Sequence, residues 1–213
     1  SRIARLNSVT RSTADRHSGP EWTMAERAID LSTKPTVEGD LVVLRPLVGD
    51  DADAIAEILN DPQVRILTGS VATTAEAREP FVADEEFRRW YATRPEQTDR
   101  LDLAIVERTS GDVAGEIVLN DVDEGAATAN LRILIGPRWQ DRGLGTEAVR
   151  LLSAYALTEV GLRALTLVVL ATNPRAHRVY EKIGYRVVRT RHGASTFDGA
   201  PVDEIDMALT IGE

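Results

Sequence analysis

The strongest hydrophobic pattern of the chain lies between residues 128 and 160. Thr128–Ile135 is rich in aliphatic residues and predicts a strand. The strand should end at Gly136 and Pro137, because proline has no N–H to give to a neighbouring strand. The next apolar residues recur at helical spacing, at Leu144, Ala148, Leu151, Leu152, Tyr155 and Ala156. This spacing predicts a helix that lies with one face on a sheet.

The remaining pattern alternates between strands and helices. The other predicted strands are Leu41–Pro46, Leu101–Arg108, Val113–Leu119, Ala164–Leu170, Tyr185–Arg191 and Asp203–Thr210. The other predicted helices are Asp50 or Asp51 to Leu59, Thr74–Ala92 with a break at Pro80, and Pro174–Ile183. Residues 63–73, 120–126 and 193–201 are predicted loops. This order of elements predicts an α/β fold with a mixed sheet.

Composition and charge narrow the classes of function. The chain has 213 residues, a net charge of −9, no cysteine and three scattered histidines. A disulfide framework, a cysteine nucleophile and a zinc centre are therefore not expected. The apolar runs are shorter than the about 20 residues of a membrane span, so we expect no membrane segment and a cytoplasmic location. Nucleic-acid binding is disfavoured because it depends on clustered Lys and Arg, whereas an acidic surface suits a cationic partner.

Residues 1–36 differ from the rest of the chain. They carry several arginines, little apolar periodicity and the turn-forming stretch Ser18-Gly19-Pro20. We expect a mobile N-terminal extension there and a folded domain over residues 37–213. A transit peptide is an alternative interpretation of the extension, and Met24 is an alternative natural start.

Gly143 and Gly145 stand at the predicted start of the central helix. Glycines let a ligand approach the bare backbone, and the first N–H groups of a helix have no partner within it. With the helix dipole added, this predicts an anion site that suits a phosphate or pyrophosphate. A dinucleotide motif is disfavoured because residues 136–142 separate the glycines from the strand. A Walker A loop is excluded because no Gly-Lys-Ser/Thr occurs. Alternatively, the glycines only cap and pack the helix.

Two stretches resemble the signatures of the GCN5-related N-acetyltransferase (GNAT) family. Gln140-Asp141-Arg142-Gly143-Leu144-Gly145 matches (Gln/Arg)-x-x-Gly-x-(Gly/Ala). Residues 173–185, Asn-Pro-Arg-Ala-His-Arg-Val-Tyr-Glu-Lys-Ile-Gly-Tyr, match Asn-x-x-(Ala/Ser)-x-x-(Leu/Val)-Tyr-x-x-x-Gly-(Phe/Tyr). Gly39–Leu47 resembles the opening strand of the subgroup that acetylates ribosomal-protein N-termini. The resemblance covers residues 37 to 211.

The resemblance implies a single-domain GNAT fold, with a mixed, mostly antiparallel sheet that splays at its central strands and carries helices on both faces. It implies acetyl-CoA as co-substrate and no metal. The implied cofactor-binding residues are Leu134, Ile135, Gln140, Asp141, Arg142, Gly143, Leu144, Gly145, Thr146 and Asn173. Leu134 and Ile135 would act through their backbone groups. The side chain of Arg138 or Arg142 could add a contact to a phosphate, and Asn173 could instead only cap its helix.

Two catalytic residues follow from the resemblance and the strand pattern. Tyr180 occupies the position of the family's usual general acid, which protonates the departing CoA sulfur. Alternatively it only packs the second signature, as we expect of Tyr185. Glu116 is the candidate base because it is the only carboxylate in Val113–Leu119, beside the central strand. The alternative is an exposed glutamate without a catalytic role, with Asp121 or a water chain as base.

The implied reaction is direct transfer of an acetyl group to a primary amine in a ternary complex. The acceptor is open among a protein N-terminus, a polyamine, an aminoglycoside and a small metabolite. Asp121, Asp123 and Glu124 could attract a cationic amine, and Trp90 or Tyr91 is expected to line its pocket. A catalytically silent acyl-CoA-binding regulatory or assembly module is the alternative function, and a homodimer is an alternative to a monomer.

Overall fold

The computed structural model describes residues 29–211. The strands are β1 Val37–Glu38, β2 Val42–Pro46, β3 Leu101–Glu107, β4 Val113–Asp123, β5 Thr128–Ile135, β6 Ala164–Leu170, β7 Arg186–Phe197 and β8 Ala200–Thr210. They form one sheet in the order β1-β2-β3-β4-β5-β6-β8-β7. Neighbouring strands are antiparallel, except that β5 and β6 are parallel.

Helices cover both faces of this sheet. They are α1 Ala52–Leu59, α2 Pro62–Leu67, α3 Thr74–Arg78, α4 Glu85–Ala92, α5 Leu144–Tyr155 and α6 Pro174–Ile183. Helix α5 lies against Ile133 and Ile135, whereas α4 reaches Glu116 on the opposite face. The predicted mixed, mostly antiparallel α/β fold is therefore confirmed. No helix within residues 29–211 is long and apolar enough to cross a membrane.

The predicted loop 63–73 is wrong over residues 63–67, which belong to helix α2, and is confirmed over residues 68–73. Asp61 caps this helix by accepting a hydrogen bond from the Val64 N–H at 2.9 Å, and Pro62 occupies the first turn. The stretch Asn60-Asp61-Pro62 was interpreted as the end of the preceding predicted helix. A proline that follows an aspartate also begins a helix, because the first turn needs no N–H at that position.

The predicted acidic loop, residues 120–126, is wrong at its start because strand β4 continues to Asp123. A bulge between Asn120 and Asp123 interrupts the pairing with β5, and Asp121 has a positive φ of 49°. A bulge shifts the alternation of side chains, so the end of such a strand cannot be found from its period.

The predicted loop 193–201 is also wrong, because β7 and β8 form a long hairpin around the turn Asp198-Gly199. Both turn residues have positive φ, 48° and 78°, as a two-residue type I′ turn requires. Asp198 also accepts hydrogen bonds from the backbone N–H and the hydroxyl of Thr74, at 2.8 and 2.5 Å. These contacts fix the hairpin tip to the start of α3.

Residues 29–36 pack on the folded domain, which corrects part of the predicted extension. Leu31 is 1% exposed, and the Lys34 Nζ donates to the carbonyls of Leu31, Gln97 and Arg100 at 2.6, 2.5 and 2.7 Å. The predicted boundary at residue 37 is therefore too late. Residues 1–28, the rest of the predicted extension, lie outside the described residues.

The sheet opens at its centre, between the parallel strands β5 and β6. They pair only over Thr128–Asn130 and Ala164–Thr166, whereas β4 pairs with β5 as far as Ile135. Within the described chain, residues 131–135 of β5 therefore have no strand partner on the β6 side. Helices α5 and α6 follow these two strands, so both helices begin at the edge where the sheet opens. The predicted splay of the central strands is confirmed.

A buried carboxylate holds α5 to the start of β2. Glu147 accepts hydrogen bonds from the backbone N–H groups of Leu41, Val42 and Asp40 at 2.6, 2.8 and 3.1 Å. The chain passes so close that a Cβ on Gly39 would lie 2.6 Å from a Glu147 carboxylate oxygen. The first turn of α5 is thereby fixed relative to the sheet.

Glu147→Ala should lower the free energy of unfolding by about 3 kcal/mol, because three N–H groups lose a charged acceptor. Urea unfolding measures the change. Glu57→Ala, on the exposed side of α1, is the control and should change the free energy of unfolding by less than about 0.5 kcal/mol. A loss below about 1 kcal/mol for Glu147→Ala would mean that water replaces the carboxylate.

Candidate active site

The backbone of Leu134 faces β4 and not the gap. The Gly136 N–H donates to the Ala114 carbonyl at 2.9 Å. A Cβ on Gly115 would lie only 1.9 Å from the Leu134 carbonyl oxygen. In an antiparallel pair the residues that bond to the neighbouring strand alternate with those that do not. Leu134 therefore belongs to the set that bonds to β4, which removes it from the predicted backbone contacts of the cofactor arm.

Ile133 and Ile135 direct their N–H and C=O groups into the gap. The Gln140 Nε2 donates to the Ile135 carbonyl at 3.1 Å, which confirms this direction. The Ile133 N–H and C=O and the Ile135 N–H have no strand partner on this side in the described chain. Of the two predicted residues, Ile135 thus directs its backbone groups into the gap. Ile133, and not Leu134, is the second residue of β5 that does so.

Backbone N–H groups without partners line the start of α5. Those of residues 141–146 make no hydrogen bond within the part of the chain that the structure describes. Gly143, with φ at 85°, and Asp141, with φ at 58°, give the loop its turn. A Cβ on Gly145 would lie 3.4 Å from the Ile135 Cγ1, so the missing side chain keeps this corner open. The donors and the helix dipole fit a phosphate or pyrophosphate.

The arginines around this loop are paired with carboxylates. The pairs are Arg138–Asp112 at 2.8 Å, Arg175–Asp141 at 3.3 Å, and Arg142–Glu107. A side-chain contact from Arg138 or Arg142 to a phosphate would therefore compete with an existing ion pair. Within the described residues, the unpaired donors of this loop are therefore the N–H groups of residues 141–146.

Asn173 and Tyr180 lie on the other wall of the gap, at α6. Asn173 caps this helix, since its Oδ1 accepts from the Ala176 N–H at 3.1 Å, and its Nδ2 has no partner within residues 29–211. Tyr180 is buried, and burial raises the pKa of its phenol, so the hydroxyl keeps its proton at neutral pH. The Tyr180 hydroxyl makes no hydrogen bond in the described chain. Tyr185 is fully buried and bonded to Ser153 at 2.9 Å, which confirms its packing role.

Glu116 lies on the sheet face opposite α5, directly across from Leu134 in the β4–β5 register. The Tyr91 hydroxyl donates to its Oε2 at 2.8 Å. Burial raises the pKa of Glu116 above its ordinary value of 4.5; the hydrogen bond from Tyr91 and the charge of Arg132 oppose this rise, and Asp102 adds to it. A carboxylate with a raised pKa is a better proton acceptor.

Three charged residues near Glu116 were missed by the sequence analysis. Arg100 donates twice to Asp102, at 2.7 and 2.6 Å, and its guanidinium lies 5.2 Å from the centre of the Trp90 ring. Arg132 belongs to the same face because it is two residues from Leu134 on β5. Asp102 shares this face by the same alternation, since it is two residues from Ala104, which pairs with Glu116. Strand phase is therefore a signal that the sequence contains for both residues.

Residues 42–186 match the model of the acetyltransferase (GNAT) domain family. The chain belongs to this family, as its two signatures predict. It is an N-acetyltransferase, and acetyl-CoA is its co-substrate. Within residues 29–211, no group of three or more His, Cys, Asp or Glu could hold a metal ion.

Two curated relatives fit this assignment, and a solved structure shares the fold. The chain is 28% identical over 146 residues to spermidine N(1)-acetyltransferase of Escherichia coli (strain K12), which covers 68% of this chain and 73% of the relative. It is 26% identical over 152 residues to a Bacillus subtilis (strain 168) protein named for ribosomal N-acetyltransferase activity, with 68% and 77% covered. Spermidine N-acetyltransferase from Vibrio cholerae, solved with CoA and spermine, shares the fold with a TM-score of 0.69 at 19% identity, covering 81% of this chain and 96% of that chain.

Glu116→Gln should stabilise the protein at neutral pH. Because the folded-state pKa of Glu116 is raised, the native state holds this proton more tightly than the unfolded chain. The contribution of Glu116 to stability is therefore present below pH 4.5, its ordinary pKa, and is lost as pH rises through the folded pKa. Glutamine removes the charge and keeps an acceptor for Tyr91.

Thermal unfolding of both proteins across this pH range tests the prediction. Glu116→Gln should have the higher Tm at neutral pH, and the difference should vanish as the pH approaches 4.5. The exposed Glu57→Gln should show no such trend. A Tm difference for Glu116→Gln that is constant with pH would contradict the raised pKa.

Proposed function

We propose that this protein moves an acetyl group from acetyl-CoA to the primary amine of a cationic acceptor, by direct attack in a ternary complex. One observation carries the proposal: the carboxylate Glu116 lies on the strand next to the open edge of β5, on the face opposite α5. The proposed cofactor site at the open edge of β5 and the proposed proton acceptor on β4 thus lie on either side of strand β5. A module that only binds acyl-CoA has no need of this placement.

The cofactor side uses backbone groups of this chain. The N–H groups of residues 141–146 hold the pyrophosphate, and the side chain of Asn173 donates through its free Nδ2 to the cofactor arm. Ile133 and Ile135 pair with that arm as a neighbouring strand would. The Ile135 N–H polarises the thioester carbonyl. One such preorganised oxyanion-hole donor lowers the activation free energy by about 3 kcal/mol.

The acceptor side supplies a base. An alkylamine has a pKa near 10, so about one molecule in a thousand is neutral at pH 7, a deficit of about 4 kcal/mol. Glu116 accepts the proton from the ammonium group, directly or through water. Tyr91 keeps the Glu116 carboxylate in place through their hydrogen bond. The amine then attacks the thioester, which the bound acetyl-CoA supplies as an activated acetyl group.

Tyr180 supplies a proton to the departing sulfur. Its hydroxyl has no protein partner in the described chain, and burial keeps it neutral. A thiolate with a pKa near 8.5 leaves fairly well unaided. The proton transfer therefore has a modest effect on the rate, about 10- to 100-fold.

Charge and relatives both favour a cationic acceptor. The net charge of −9 and the exposed Asp121, Asp123 and Glu124 at the end of β4 attract an amine that carries more than one positive charge. One curated relative is named as a spermidine acetyltransferase. We therefore infer a polyamine or a similar polycationic amine as the acceptor class.

An acceptor panel tests the proposal by following free thiol released from acetyl-CoA. Spermidine should release thiol well above the hydrolysis background, and a neutral peptide with a free N-terminus should release much less. Added salt should reduce the advantage of spermidine, because screening weakens attraction between exposed charges. If no amine of the panel raised thiol release above hydrolysis, the transfer reaction would be refuted. If the neutral peptide were the best acceptor, only the cationic assignment would be refuted.

Tyr180→Phe should lower kcat by about 10- to 100-fold and leave the KM for acetyl-CoA nearly unchanged, because the ring still packs and only the proton is lost. Steady-state kinetics with spermidine measure both constants. Tyr155→Phe on α5 removes a half-buried hydroxyl outside the gap and should leave kcat unchanged. An unaltered kcat in Tyr180→Phe would reduce Tyr180 to a packing residue.

A further inference from the structure

The last residue of β3, Glu107, is a buried carboxylate that faces the loop before α5. It is 5% exposed. It accepts hydrogen bonds from the Trp139 Nε1 at 3.0 Å, from the Ser110 hydroxyl at 3.0 Å and from the guanidinium of Arg142. Two of these donors belong to the segment that leads from β5 to α5. Neither signature of the family contains Glu107.

Apart from Glu107, the segment is held by the Gln140 Nε2 hydrogen bond to the Ile135 carbonyl and by the exposed ion pairs Arg138–Asp112 and Arg175–Asp141. Trp139 ends a single 3-10 turn, and residues 140–143 have no regular secondary structure. The Trp139 ring packs closely on Gly136, where a Cβ would lie 2.8 Å from a ring carbon. Glu107 thus binds the side chain of Trp139, which precedes the unpaired N–H groups of residues 141–146, and the side chain of Arg142, which lies within that run.

We propose that Glu107 positions the pyrophosphate loop and that Arg142 anchors this loop instead of binding the phosphate. The inference rests on the proposed phosphate site at residues 141–146. A buried carboxylate can orient two donors at fixed angles because hydrogen bonds to charged groups are short and strong. The direction of the loop N–H groups then depends on Glu107, although Glu107 itself touches no phosphate.

The two roles of Arg142 predict opposite results when Glu107 is neutralised. If Arg142 is a phosphate ligand restrained by Glu107, then Glu107→Gln frees a cation beside the pyrophosphate and acetyl-CoA binds more tightly. If Arg142 is an anchor, the same change loosens the loop and acetyl-CoA binds more weakly. The sign of the change therefore separates the two roles.

The experiment measures kcat and the KM for acetyl-CoA with saturating spermidine, and the affinity for CoA by calorimetry. Glu107→Gln should raise both the KM and the Kd about tenfold, as expected for the loss of one hydrogen bond to a charged group, with kcat within about twofold. Trp139→Phe keeps the ring system largely filled, removes one donor, and should raise both about threefold. The indole N–H resonance of Trp139 should shift in Glu107→Gln, which reports the lost hydrogen bond.

Asp112→Asn is the matched control. It breaks the exposed Arg138–Asp112 pair, which joins the β3–β4 turn to the segment between β5 and α5 at the surface. This change should alter the KM for acetyl-CoA less than about twofold. Urea unfolding shows whether Glu107→Gln remains folded at the assay temperature. If it does not, the Trp139→Phe result decides.

A lowered or unchanged KM in Glu107→Gln would overturn the positioning role, as would an equal rise in Asp112→Asn. An unchanged KM in Trp139→Phe would overturn it where Glu107→Gln does not fold. A wild-type protein that fails to bind CoA would instead overturn the proposed function, and the role of Glu107 with it.

Discussion

The separation of β5 from β6 is the constraint on which the site depends. Strand β5 is a central strand, and an unpaired N–H or C=O in such a place costs about 1–3 kcal/mol when it is also shielded from water. The chain nevertheless leaves Ile133 and Ile135 without a strand on one side. A ligand that offers alternating donors and acceptors can restore this pairing, which is what a pantetheine arm offers. We propose that bound acetyl-CoA completes the sheet at this edge.

Three carboxylates differ in how well their surroundings stabilise the anion. Glu147 accepts three backbone N–H groups, and Glu107 accepts from Trp139, Ser110 and Arg142. Both are well satisfied as anions and hold α5 and its loop in place. Glu116 accepts a hydrogen bond from the Tyr91 hydroxyl, and its pKa is raised by burial. A carboxylate that is poorly stabilised as an anion is suited to take up a proton.

The family and the central strand–loop–helix unit were predictable because their signals are local. Gly143 and Gly145 mark the entrance of α5, and the apolar spacing marks its buried face. Helix α2 was missed because a proline such as Pro62 can either end one helix or begin the next. The β7–β8 hairpin was missed because Asp198-Gly199 is compatible with a long loop and with a tight two-residue turn. The choice between these meanings depends on packing that the local pattern does not contain.

The candidate site was predictable only in part for the same reason. Glu116 followed from strand alternation, but its partner Tyr91 comes from a helix 25 residues earlier. Leu134 was chosen over Ile133 because the sequence does not show which residues bond to β4. That choice is fixed by the register with β4, where Gly115 lets the strands approach closely.

Hydrogen exchange of the β5 amides tests most directly whether acetyl-CoA completes the open edge. Residue-level NMR would compare the exchange rates of Ile133, Leu134 and Ile135 with and without saturating acetyl-CoA. The account predicts that the Ile133 and Ile135 amides slow by at least about tenfold, as an added hydrogen bond of about 1.4 kcal/mol would cause. Leu134, already bonded to β4, should change little. Unchanged rates for Ile133 and Ile135 in the complex would contradict the account.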